Sequence, residues 1–186
     1  MSAGEADFGL EISRGVLAKF AMAAIGFAGS VLFARVLGPS GYGLFYLIVT
    51  LVNVLDNPVT GWGVACKKRI SEADFSVAET LGSGLLGALL LSLLVLPVAY
   101  VFNQYTSLYN LGGLFLPFSG LFVVICFFAV TNRILSARAN FSASEWADTL
   151  RSLFTTPLQL VFVAGLGMGT VGMVYGLAAA TLLTVP

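Results

Sequence analysis

The residues able to do chemistry in this chain are few, and they sit in unusual places. Asp56 lies inside a long apolar run, together with Asn53, Asn57 and Thr60. Spacings of three and four residues put these four on one side of a helix, a side that Tyr46 and Thr50 extend. An ionised aspartate in the middle of a bilayer costs about 2.5–3.5 kcal/mol on insertion scales, so Asp56 is expected to face away from lipid. Pro58 follows it and lacks a backbone donor, which frees a carbonyl one turn back. Two readings stand side by side. One is a proton or cation site facing a wet cavity, and the other is a polar helix–helix seam in which Asp56 pairs with a neighbour. Lys19 and Arg35 bracket the preceding apolar run. Either can snorkel to the headgroups or meet a phosphate.

Other chemistries are poorly supplied. The chain has no histidine, so histidine triads, histidine-ligated metals and histidine general bases are excluded. Cys66 and Cys126 have no metal-site or CxxC spacing, and each reads as a small apolar side chain. Ser119 has no base to activate it. No enzyme activity, cofactor or metal is expected.

The elements that must position these residues follow from composition. Of 186 residues, 58% are hydrophobic and only 10% charged, and the mean hydropathy is +0.96. That leaves too little charge to coat a soluble domain of this length. The net charge is zero, so the basic footprint of a nucleic-acid binder is missing. A bilayer core of roughly 30 Å takes about 20 helical residues. Six runs answer to that: 15–34, 42–64, 81–102, 111–131, 150–167 and a short last one at 171–185. None shows the alternation of a barrel strand. The predicted fold is an all-α polytopic bundle, with 1–14 as a cytoplasmic N-terminal segment and 15–186 as a six-span lobe. The acidic start, with Glu5, Asp7 and Glu11, suits a retained first helix better than a cleaved signal.

Charge then orients the bundle. With the N-terminus in the cytoplasm, all of the nine Lys and Arg residues except Arg35 fall on the inner side, as the positive-inside rule requires. Trp62 and Trp146 then sit near the inner boundary, and Tyr42, Tyr46, Tyr100, Tyr105 and Tyr109 near the outer one. Ser142 and Glu145 have capping-box spacing, which predicts a helix from about Ala143 into the fifth span. Gly82, Gly84, Gly87 and Ala88 on the third span, and Gly172, Gly176 and Ala180 on the sixth, are expected to form close-packing faces.

Residues 33–43 read FARVLGPSGYG, and residues 61–74 read GWGVACKKRISEAD. The first is similar to the ARxLGPxxYG signature between the first two helices of polysaccharide exporters. The second resembles that family's glycine-rich end of helix two and its basic inner loop. The physics of the first segment stands by itself: Gly38-Pro39 ends one helix, and Gly41 and Gly43 flank Tyr42 in a reversal into the next.

The resemblance implies a flippase for lipid-linked oligosaccharides in the plasma membrane, within the multidrug/oligosaccharidyl-lipid/polysaccharide exporter superfamily. A polyprenyl-linked saccharide would be cargo, Arg35 and Lys19 would attract its phosphate, and Asp56, Asn53, Asn57 and Thr60 would couple an ion or line the cavity. Family members have two six-helix lobes. One lobe is expected here, completed by a missing C-terminal lobe or by a second copy, with membrane lipids around it and no nucleic acid partner. The competing readings are a cation-coupled multidrug exporter of the same superfamily and a transport-inactive membrane fragment or scaffold.

Overall fold

The computed structural model describes residues 3–71, 77–106, 113–137 and 141–185. Among them there is no strand. Helix α1 runs over Ala3–Ser71, α2 over Val77–Thr106, α3 over Phe115–Ala137, α4 over Phe141–Leu160 and α5 over Gly169–Leu183. The protein is an all-α membrane helix bundle. Apolar stretches long enough to cross a bilayer occupy Ala23–Cys66 in α1, Glu79–Tyr105 in α2 and Phe115–Ser136 in α3, while α5 is a shorter apolar helix.

The 44 apolar residues of α1 would extend about 66 Å as one rod, twice the thickness of a bilayer core. A break divides them. Gly38 stands at φ 70°, ψ 172°, and Pro39 follows with no amide proton to continue the ladder. Positive φ is strained for a residue with a Cβ, so glycine is what the sequence supplies here. The break separates an incoming limb from a returning limb, at the site where the sequence separates its first two runs. The third run lies within α2. Of the fourth, residues 113 onward are described, and its helix begins at Phe115. Helix α4 begins at Phe141, two residues before the expected start, and runs to Leu160; the side chains of Ser142 and Glu145 lie outside the described residues.

Helix α4 does not end in an ordinary turn. Residues Val161–Gly165 widen into a π-helical turn, in which the Leu166 amide donates to the Val161 carbonyl at 3.0 Å. Pro157 sits one turn earlier, where its missing donor already weakens the ladder. Gly167 (φ 65°) and Gly169 (φ 57°) then reverse the chain into α5.

The bundle is arranged around α3. In its apolar window 39% of residues are buried, against 17% and 18% in those of α1 and α2, so α3 is the inner helix and the other two present most of their surface outward. Leu121, Phe122, Cys126 and Val130 form its buried spine. The returning limb of α1 lays Phe45, Ile48, Val52, Val59 and Gly63 against the core, at the three- and four-residue intervals of one helical face. Outward-facing Leu86, Leu89, Leu90, Leu93 and Leu94 of α2 are the apolar coat expected of a helix in lipid. Buried hydroxyls are satisfied within their own helices: Ser92 donates to the Ala88 carbonyl at 2.8 Å and Thr181 to that of Leu177 at 2.8 Å, which removes the cost of an unpaired polar group in hydrocarbon.

Candidate functional site

The small-residue face of α5 determines how close α4 can come. A Cβ on Gly176 would lie 2.6 Å from the Gln159 Cα, and one on Gly172 would lie 2.9 Å from the Phe162 carbonyl oxygen. The two backbones are in contact, as small residues permit. Gln159, buried in this contact, donates from Nε2 to the Met173 carbonyl at 3.2 Å. The polar face of α4 is thereby fixed toward the centre of the bundle.

There it meets both limbs of α1 across a cavity of about 400 Å³. Ile25, Gly26, Gly29, Ser30 and Phe33 come from the incoming limb. Tyr42, Phe45, Tyr46, Val49 and Asn53 come from the returning limb. Ile125 comes from α3, Arg151, Ser152, Leu153, Thr155, Thr156 and Gln159 from α4, and Met173 and Leu177 from α5. The lining is mixed, with apolar walls and hydroxyls from Ser30, Tyr42, Tyr46, Ser152, Thr155 and Thr156. This is the usual make-up of a ligand pocket.

Arg151 is the charged residue of that lining. Its guanidinium carbon lies 4.9 Å from the centroid of the Phe128 ring on α3, and its Nη2 lies 3.8 Å from Asp148 Oδ1. Asp148 accepts a hydrogen bond from Asn132 Nδ2 at 3.1 Å through its other oxygen. The Arg151–Asp148 pair is long, one turn apart on the same helix and partly exposed, so it is worth little. Phe128 and Asp148 orient the guanidinium while leaving donors for an anion.

Toward the end of the bundle where α1 breaks, Tyr42 donates its hydroxyl hydrogen to the Tyr46 hydroxyl at 3.1 Å. The rings meet edge to face, with centroids 4.9 Å apart. Phe45 braces Tyr46 in the same way at 5.4 Å. The glycine-proline segment is tied to α5 by Thr170, whose hydroxyl donates to the Gly41 carbonyl at 3.2 Å. The turn between the limbs of α1 is therefore held against the start of α5.

The other candidate residues separate. Asp56 is buried, 7% exposed, but it sits in the centre of the apolar stripe of the returning limb, between Val52 and Val59, and does not line the cavity. Thr60 joins it, donating to Asp56 Oδ2 at 2.9 Å. Asn53 points to the cavity, and Asn57 is exposed. Residues three and four apart on a helix spread over more than a hundred degrees, and the boundary between core and cavity passes through this group. Arg35 is exposed and is not part of the cavity lining. Lys19 belongs to the incoming limb, and its side chain lies outside the described residues. In the turn, Pro39 and Gly43 are exposed and Gly41 and Tyr42 half-buried. Trp62 is tucked against Gly84 of α2, whereas Trp146 is 64% exposed.

Sequence reasoning missed Arg151 as a site residue, because it counted there among the cytoplasmic charges. The available signal was its position about three turns into α4, deeper than a loop cation needs to lie. Among the described residues no cluster of three or more His, Cys, Asp or Glu is placed to hold a metal.

No curated protein and no solved structure matches the chain. A family does: the one described as polysaccharide biosynthesis protein, across residues 12–185. That match takes in both limbs of α1, the turn at Gly38 and every helix that lines the cavity, and the chain belongs to the polysaccharide biosynthesis protein family.

Proposed function

We propose that the chain is a transporter lobe that helps move lipid-linked saccharides across the cytoplasmic membrane, with Arg151 as the cavity group that receives the phosphate or diphosphate of the cargo. The observation that carries this reading is that Arg151, its guanidinium held against Phe128 of α3, lines a cavity otherwise walled by hydroxyls, amides and apolar side chains. Family membership over 12–185 supports it. A planar, permanently charged guanidinium binds phosphate oxygens in pairs. The hydroxyls and aromatic rings around it suit a saccharide, and an apolar tail can lie along the outward faces in lipid.

The orientation proposed has the N-terminus in the cytoplasm and multiple spans, supported by the bias of basic residues to one side. Lys19, at the cytoplasmic end of the first apolar run, is proposed to attract the anionic headgroup on the side of Arg151, and Arg35, at the outer end, to attract it on the far side. A second lobe or a second copy is proposed to face the cavity and provide the other half of an alternating-access pair.

The test substitutes Arg151 with Gln and with Lys and follows translocation of lipid-linked saccharide in membranes containing the full-length protein. Loss of a charge-assisted contact worth about 1.5–3 kcal/mol predicts a fall of about 10- to 100-fold for Arg151→Gln with normal membrane abundance. Arg151→Lys should recover part of it, since a lysine keeps the charge without the fork. Undiminished translocation by Arg151→Gln would remove the residue from cargo binding. The same membranes assayed with organic cations separate this reading from a drug exporter, whose cavity would gain from losing a positive charge.

A further inference from the structure

Two buried side-chain oxygens among the described residues have no hydrogen-bond partner, Asn132 Oδ1 and Asp56 Oδ1. The first belongs to a neutral amide whose nitrogen is committed to Asp148, so its deficit is one hydrogen bond. The second belongs to an ionisable group, and its deficit depends on whether the proton is present. An ionised carboxylate offers about four acceptor sites. Around Asp56 the Thr60 hydroxyl fills one of them, and the Cys126 thiol of α3 lies beside the same carboxyl. The rest of the niche is the apolar stripe of α1. An unpaired charge in such surroundings costs far more than a neutral carboxyl short of one partner.

We propose that Asp56 is a proton-binding site, a carboxyl in the seam between α1 and α3 that takes up and releases H⁺ and does not hold a metal cation. The donor set decides between these ligands. Beyond the carboxyl it provides one hydroxyl, whose hydrogen already points at Asp56, and one soft sulfur. A hard cation takes about six oxygens, and a thiol is a poor substitute for them. A proton needs one oxygen, and Oδ1 is vacant.

The location suits exchange. Asn53, one turn away on α1, lines the cavity, so the cavity lies one helical turn from the carboxyl. On the other side, Arg133 of α3 acts on Asp56 electrostatically while its stem packs over Gly63, two turns along α1. Arg133 is exposed, so it leaves the carboxyl without a sealed ion pair. The titratable and charged groups that act on Asp56 from a neighbouring helix are Cys126 and Arg133, both from α3.

The proton site does not depend on the identity of the cargo; only its coupling to transport rests on the reading above. The experiment is infrared difference spectroscopy on the purified chain in lipid nanodiscs, titrated from acid to alkaline buffer. A component of the protonated-carboxyl C=O band should appear at low pH, vanish on titration, and be missing from Asp56→Asn, while the absorption of the other eight Asp and Glu side chains remains. Saturating sodium or potassium at fixed pH should leave the band unchanged. If Asp56→Asn fails to assemble, Asp56→Glu serves instead, and displacement of the band makes the same assignment. Identical titrating absorption in the parent chain and in Asp56→Asn, a component not displaced by Asp56→Glu, or discharge of the Asp56 component by sodium would each overturn the proposal. A titrating Asp56 in a protein that translocates no lipid-linked saccharide would keep the proton site and remove the transport reading.

Discussion

Helices α2 and α5 both carry a run of small residues, and the bundle uses the two differently. In α5, Gly172, Gly176 and Ala180 are all buried, and the first two meet the backbone of the α4 region directly. In α2, Gly84 and Ala88 are buried, but Gly87 is exposed with nothing within 4 Å of the place a Cβ would take. Gly84 itself meets the Trp62 ring and Val130 rather than a backbone. The α5 face joins two helices into a unit. The α2 face accommodates one bulky side chain, and its other two glycines, Gly82 and Gly87, have no neighbour at the place of a Cβ. Because α4 carries Arg151 and Gln159 into the cavity, the α5 face also governs the candidate site.

The sharpest way to break this comparison is Gly176→Val. The new Cβ would fall 2.6 Å from the Gln159 Cα and 2.7 Å from its backbone nitrogen, and neither atom can rotate away. Overpacking of this kind costs about 3 kcal/mol, toward the upper end of its usual range. Unfolding in detergent should show the loss, and translocation should fall with it as Arg151 and Gln159 leave their positions. Stability equal to the parent protein would mean that α4 and α5 are not backbone-packed at Gly176.

Gly84→Ala should have a smaller effect. The added methyl meets the Trp62 ring at 2.5 Å, but an indole at the end of a side chain can tilt. The expected cost is about 1 kcal/mol, with a change in tryptophan emission as Trp62 is displaced. Unaltered emission would place Trp62 elsewhere.

This contrast also marks what the sequence could reveal. The break at Gly38-Pro39 was legible because proline and glycine act on the backbone locally, and the buried face of α5 was legible because Gly172, Gly176 and Ala180 recur every four residues on one side. The exposure of Gly87 was not, since a small-residue pattern identifies a face that permits close approach without saying what approaches it. The same limit governed the site. Asp56 announced itself by being ionisable within an apolar run, but its surroundings depend on Cys126 and Arg133, at least seventy positions further along the chain. Arg151 carried no local sign of a cavity. Its role depends on the rotation of α4 against α3, and the Phe128 ring that orients it lies on a different helix. Local chemistry could be read from the sequence, whereas a cavity walled by segments of four helices could not.

The smallest expected effect has the opposite sign. At Gly87 a methyl meets no neighbour, and the residue lies in the interior of α2, where glycine is a poorer helix former than alanine by about 0.8–1.0 kcal/mol. Gly87→Ala should therefore leave translocation unchanged and raise stability in detergent by up to about 1 kcal/mol, partly by restricting the unfolded chain. Destabilisation would show that this face of α2 is covered by a closely packed helix from another lobe or another copy. The face would then be a joining surface like that of α5, with its partner contributed from outside the described bundle.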